Sequence, residues 1–152
     1  MVLDRPEVIP IALRHATAEP AEIRARLRFE AGDMFDDVPA GDTFLLRSIV
    51  HDWDDERAAR VLRNCRTRLA PGGRILCVDN VLPPLGDTGA SGTKLLDLLM
   101  LVSLPGRERT EAEWRALFAA AGLALESMTR LTPPSVEYLI VGVPARYSPP
   151  PP

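Results

Sequence analysis

Cysteine is nearly absent from this chain of 152 residues, and the two that occur, Cys65 and Cys77, have no second cysteine or histidine at metal-ligand spacing. The spacing therefore offers no cysteine metal site, and both thiols are expected to pack as small hydrophobes within apolar stretches. An excess of one charge is lacking too: 18 basic and 21 acidic side chains are interspersed and sum to −3. Without a basic face to neutralise phosphates or anionic lipid, nucleic acid and membrane surfaces are excluded as expected partners. No apolar run approaches the roughly 18 residues of a membrane span, and the amino end lacks the order of a signal peptide, so the expected location is cytoplasmic. What remains is ample for folding. A hydrophobic content of 46% and a mean hydropathy near zero describe one globular unit with a sizeable core.

Short segments rich in Val, Ile, Leu and Phe, bounded by Gly, Pro or Asp, predict strands over 26–33, 42–50, 74–81, 123–131 and 136–143, with a stub at Val2 and Leu3. Apolar residues at Ala58, Val61, Leu62, Cys65 and Leu69, acids in the first turn and arginines in the last predict a helix over 54–69, stopped by Pro71-Gly72-Gly73. A second helix starts at the capping box of Thr110 with Glu113, presents Trp114, Leu117, Phe118 and Ala121 as its apolar face, and ends at Gly122. A third, over 93–103, is apolar nearly all round between Leu95 and Val102, which makes it buried or the cover of another surface, a pocket lining or a subunit contact. Only Thr132-Pro133-Pro134-Ser135 joins the last two strands. That is too short for a crossover, so they are antiparallel, whereas the helix-separated strands before them are parallel. The expected fold class is α/β, a mostly parallel sheet ending in an antiparallel carboxy-terminal hairpin. Residues 146–152 read as a disordered Pro-rich tail behind a domain at 1–145.

In open sheets of this kind ligands bind beyond the carboxyl ends of the parallel strands. His51 stands there, after the strand at 42–50 and directly before the acidic helix start Asp52-Trp53-Asp54-Asp55-Glu56. A histidine at such a junction is held rigidly while its ring reaches a cleft, which a general base requires. Asp79 lies near the end of the strand at 74–81, Glu108 in the loop before the Thr110 helix, and Asp33 at the end of the strand at 26–33. Topology alone thus places four titratable groups on one edge. Singly each has an ordinary reading: a turn former, a cap histidine, a strand-end acid, a solvated loop charge. Jointly they suit a base whose flanking carboxylates stabilise the imidazolium and fix its tautomer.

A different motif, Asp87-Thr88-Gly89-Ala90-Ser91, is similar to the catalytic signature of aspartic proteases, and Leu139-Ile140-Val141-Gly142 imitates the later apolar element. Pro83-Pro84-Leu85-Gly86 separates Asp87 from any strand, and helices stand where a protease needs strands. Gly86, Gly89 and Gly92 match neither nucleotide fingerprint, so a flexible connection is the expectation.

Gly32-Asp33-Met34-Phe35, then His51-Asp52-Trp53-Asp54-Asp55, then Pro71-Gly72-Gly73, then Gly106-Arg107-Glu108-Arg109-Thr110 follow one another in this order. At these residues the chain resembles the S-adenosylmethionine-dependent O-methyltransferases of the caffeate and hydroxyindole type over about 1–145. The resemblance implies a partial Rossmann-like methyltransferase sheet and methyl transfer from S-adenosylmethionine to a hydroxyl of a small aromatic or polyketide-type acceptor. It implies His51 as general base flanked by Asp79 and Glu108. It assigns Asp33 and Met34 to the adenine end of the cofactor, Asp4 to its ribose, Arg47 to its methionine part, and Met100 to the acceptor. The resemblance implies homodimers formed through an amino-terminal helical domain, and this domain, the first, central strand and its glycine-rich loop are expected to be missing from these 152 residues. The chain is accordingly expected to be the carboxy-terminal part of such an enzyme: a truncated frame, a remnant acting at most as an interaction module, or a piece completed by another chain. Weak or no cofactor binding by the isolated chain is expected.

Overall fold

The structure is a computed structural model that describes residues 1–83, 86, 91–133 and 136–145. Asp87 to Ala90 of the Asp87 motif and the Pro-rich tail at 146–152 lie outside the described residues. Four strands make the main sheet: β3 (Gly41–Arg47), β4 (Leu69–Asp79), β7 (Leu123–Arg130) and β8 (Tyr138–Pro144), in the order β3-β4-β8-β7. The β3–β4 contact is parallel and the two contacts of β8 are antiparallel. Only β8 runs against the others. The mostly parallel sheet with a terminal antiparallel hairpin is therefore what the chain forms.

Two further strand pairs stand beside it. Strands β1 (Val2–Asp4) and β2 (Phe29–Ala31) pair in parallel, connected by helices α1 (Ile9–Ala16) and α2 (Ala21–Arg24). Strands β5 (Val81–Leu82) and β6 (Arg109–Thr110) form a second short parallel pair. Neither pair is hydrogen-bonded into the main sheet. The outer edge of β3 has no strand partner among the described residues, and Leu45 on it is 65% exposed. A parallel strand such as β3 is ordinarily paired and covered, so a bare apolar edge here is a liability.

The core forms where helices α3 (Asp55–Thr67) and α5 (Glu111–Ala120) pack with the main sheet. Asp54 caps α3 by accepting from the Arg57 N–H at 2.8 Å, and the helix buries Ala58, Val61, Leu62 and Cys65 on one stripe. The Thr110–Glu113 capping box starts α5, which buries Trp114, Leu117 and Phe118. Each large side chain removed from water in this way contributes about 1.5–3 kcal/mol. Both cysteines are buried and unpaired, as small hydrophobes; burial pushes the Cys65 thiol up to about 12.

Several expected boundaries move. Strand β4 begins at Leu69 and incorporates Pro71-Gly72-Gly73, which was expected to lie outside it. Gly72 takes a left-handed φ of 78° and the β3–β4 register shifts between Gly41 and Thr43, so the triplet forms an irregularity inside the strand. Strand β2 covers only three residues of the expected 26–33, because Arg26 and Leu27 close the turn after α2. Strand β3 stops at Arg47, not at 50, because Ser48 turns left-handed at φ 51°. Helix α4 (Ser91–Ser103) is where the sequence places it, but it is not buried: Leu95, Leu98, Leu101 and Val102 are 59–85% exposed. No helix among the described residues is long and apolar enough to cross a membrane.

Candidate active site

The chain leaves β3 through Ser48, whose left-handed backbone costs about 1 kcal/mol for a residue with a side chain, and drops into a single 3₁₀ turn over Val50–Asp52. The Ser48 N–H donates to the Val78 carbonyl at 3.0 Å, which keeps this turn against the end of β4. His51 thereby faces Asp79, the last residue of β4. Glu108 arrives from the other side. The β5–β6 register pairs Val81 with Arg109, so the residues just before them, Asn80 and Glu108, are neighbours as well.

These placements gather His51, Asp79 and Glu108 into one cluster. His51 Nδ1 lies 3.0 Å from Glu108 Oε1 in hydrogen-bond geometry and 3.2 Å from Asp79 Oδ1. Both carboxylates are buried, at 1% exposure, and the His51 side chain is 13% exposed. With Nδ1 turned to the two buried acids, Nε2 is the nitrogen not bonded to them, and it lies 3.5 Å from Asp52 Oδ1. The Glu108 hydrogen bond raises the His51 pKa above its ordinary value, against the opposing effect of burial, with the charges of Asp79, Glu108 and Asp52 adding to it. Burial pushes Asp79 up to about 7; the positive charge of His51 opposes this and the charge of Glu108 adds to it.

The surrounding frame is built from residues to which the sequence reading gave no role. Arg109 is fully buried and laces the His51 turn together: Nη1 donates to the Val50 carbonyl at 3.1 Å, Nη2 to the Trp53 carbonyl at 2.8 Å, and Nε to Asp55 Oδ1 at 2.9 Å. The Arg107 N–H donates to the His51 carbonyl at 2.9 Å. Gly106 lies so close that a Cβ there would collide with the His51 carbonyl oxygen and the Asp52 backbone. Asp97 on α4 accepts from the Glu108 N–H at 2.9 Å, and Asn80 Nδ2 donates to Glu108 Oε1 at 3.3 Å. One sequence signal was available for Asp97, a lone acid in an otherwise apolar helix.

The other expected site residues are more scattered. Asp33 accepts from the Phe35 N–H at 2.8 Å and lines a cavity of about 370 Å³ with Leu3, Glu30, Asp37 and Arg68. It does not join the His51 cluster; the two motifs meet instead through the edge-on contact of Phe35 with Trp53, at 4.8 Å between ring centroids. Met34 packs half-buried against the core. Asp4 Oδ1 accepts from the Arg5 N–H at 2.8 Å, and Arg47 is paired with Glu137 at 3.2 Å. Neither lines the cavity that Asp33 lines. Met100 is buried on α4, one turn after Asp97 and on the same side of the helix.

An open α/β sheet with a buried histidine–carboxylate cluster at the ends of its parallel strands is the arrangement of a Rossmann-like α/β domain. The chain belongs to the O-methyltransferase family, whose domain model matches residues 1–124. It is 42% identical over 126 residues to acetylserotonin O-methyltransferase of Mus musculus, covering 81% of this chain and 32% of that protein. It is 42% identical over 127 residues to the phenazine O-methyltransferase PhzM of Lysobacter antibioticus, covering 83% of this chain and 36% of that one. Its fold matches CalO1, a methyltransferase of calicheamicin biosynthesis solved in its SAH-bound form, with a TM-score of 0.81 and 39% identity over 94% of this chain and 40% of that one. The chain therefore spans about a third of the length of the curated relatives it matches.

Proposed function

We propose that this chain carries the base-bearing part of an enzyme that methylates a hydroxyl of a small aromatic or polyketide-type acceptor from S-adenosylmethionine, with His51 as general base. The observation that carries the reading is the buried 3.0 Å contact of His51 Nδ1 with Glu108, which leaves Nε2 to take the acceptor's proton. A phenol near pKa 10 facing an imidazole near 6.5 makes full proton transfer uphill by about 5 kcal/mol. Glu108 and Asp79 narrow that gap by holding the imidazolium, since each unit by which they raise His51 is worth about 1.4 kcal/mol. The acceptor class follows from the relatives named for acetylserotonin and phenazine methylation. Met100 serves as an acceptor-facing side chain.

The donor side fits less well. Asp4, Asp33, Met34 and Arg47 are the residues proposed for S-adenosylmethionine, yet Asp33 alone of the four lines the cavity, and Arg47 is engaged by Glu137. The described residues do not assemble a complete cradle for the donor. Residues 1–145 are accordingly proposed to be a partial catalytic domain in a protein handled in the cytoplasm, with a small-molecule hydroxyl acceptor as partner rather than nucleic acid or membrane. A second reading, an inactive remnant that serves as an interaction module, is favoured by the exposed apolar side of α4. The test is product formation by purified protein at large donor excess, read by mass spectrometry with aromatic alcohols. His51→Gln is expected to suppress product while leaving donor affinity unchanged. Equal product from wild type and His51→Gln rejects the base. No product from folded wild type favours the remnant.

A further inference from the structure

Two buried carboxylates approach the same ring nitrogen of His51, and only one of them can accept its proton in a well-formed bond. Glu108 Oε1 does so at 3.0 Å, whereas Asp79, although its Oδ1 lies 3.2 Å away, has no well-formed hydrogen bond on either carboxylate oxygen among the described residues. The difference between them is a neighbour. Asn80, 7% exposed, sends its Nδ2 to the same Glu108 Oε1 at 3.3 Å.

We propose that Asn80 is a positioning residue: by donating to Glu108 Oε1 it fixes Glu108, and not Asp79, as the acceptor of the His51 Nδ1 proton, and so leaves Nε2, beside Asp52, unprotonated. The inference deepens the reading of His51 as base and rests on it for its catalytic consequence. Three observations carry it. Asn80 is held beside Glu108 by the β5–β6 register, which aligns the two residues preceding Val81 and Arg109. Its Oδ1 is buried without a hydrogen-bond partner among the described residues, so the amide is kept for its donor half at the expense of its acceptor half. Glu108 is clamped at its backbone as well, through its N–H to Asp97 Oδ1, so a second hold on its side chain completes its orientation. The Asn80 donor thus falls on Glu108 alone, whereas burial is the largest effect on Asp79 and favours its neutral form, opposed by the charge and the backbone N–H of His51. The two acids thereby take different tasks: Glu108 orients the ring and Asp79 is the group to which a proton is more readily assigned.

The charged groups around the ring are Asp52 at Nε2, Asp79 and Glu108 at Nδ1, Asp97 behind Glu108, and Arg109, which acts on Asp79. With only two histidines in the chain, and His15 exposed, ¹⁵N-detected ring spectra across pH resolve His51 directly. Wild type is expected to show neutral His51 as the Nδ1–H tautomer. Asn80→Leu is expected to mix the two tautomers and lower the His51 midpoint by about half a unit. Asn80→Ser, which adds no volume, is expected to do the same and serves if the leucine variant does not fold. Glu108→Gln is expected to remove the tautomer preference and Asp79→Asn to retain it. An unchanged tautomer and midpoint in a folded Asn80 variant overturns the proposal, as does an Asp79→Asn effect equal to that of Glu108→Gln. These readouts need no turnover, so full product formation by His51→Gln would remove the base reading while the Asn80 result stood separately.

Discussion

Asp79 is the residue whose chemistry departs furthest from its type. An acid lifted from 3.8 to about 7 by burial holds its proton in the folded state over a range where the unfolded chain has lost it. The folded form then binds more protons than the unfolded form between about pH 4 and 7, so this group's contribution is present below the unfolded value and is lost as pH rises through the folded one. At about 1.4 kcal/mol per unit the loss is on the order of a few kcal/mol. Asp79→Asn cannot titrate, so its melting temperature relative to wild type should rise steadily from pH 4 to 7.5. Parallel curves for the two proteins across that range would show that Asp79 ionises normally. His51, raised mainly by its bond to Glu108, acts with the same sign but from its ordinary midpoint near 6.5 upward, so its window overlaps that of Asp79 only near pH 7. At this scale His51 and Asp79 were legible because strand ends announce themselves in the sequence, and Glu108 because it stands just before the Thr110 capping box. Asn80 and Arg109 were not, because their partners are a side chain brought in by β6 and carbonyls of the turn that carries His51.

Elements position this cluster through their junctions more than through their lengths. Helices α3 and α5 could be read from their caps, since Asp54 and the Thr110–Glu113 box are local in sequence. The sequence does not announce helix α1: it is only eight residues long, carries a proline in its first turn and has no side chain capping its start, although its apolar residues share a face. The two-residue strands β5 and β6 have no signature of their own, yet their pairing brings Glu108 to His51. The loop before β6 then locks the junction after β3, and Gly106 is the contact point. Gly106→Ala places a methyl group against the His51 carbonyl and the Asp52 backbone, which must move apart. The expected result is a loss of about 1–3 kcal/mol in denaturant unfolding with displaced His51 ring signals. Gly92→Ala, on α4 with open space around it, should instead be neutral or stabilising by up to about 1 kcal/mol. Equal behaviour of the two variants would show that the loop does not hold the histidine.

Across the whole molecule the strands divide unevenly. The main sheet, with its α3 and α5 cover, has a continuous core, whereas β1 and β2 pair only with each other and β3 keeps an unpaired edge among the described residues. That division was legible only through the family resemblance, because strand order between non-adjacent segments is not encoded in local pattern. It separates the proposed donor residues from the His51 cluster. His51, Asp79 and Glu108 belong to the well-packed sheet and its partner loops. Asp4 and Asp33 belong to the β1–β2 unit, which no ladder joins to β3. Binding a donor across both units requires them to be held in one arrangement, and the cost of that ordering is subtracted from the contacts made. On the proposed assignment a donor reaches Asp33 and Asp4 on one unit and Arg47 on the other, so its contacts are divided between them. Isothermal titration of S-adenosylmethionine into this chain is therefore expected to give no heat, or a dissociation constant in the millimolar range, about −4 kcal/mol. A micromolar constant would mean that the β1–β2 unit is already fixed against β3 and that the donor half of the site is formed without a joining ladder.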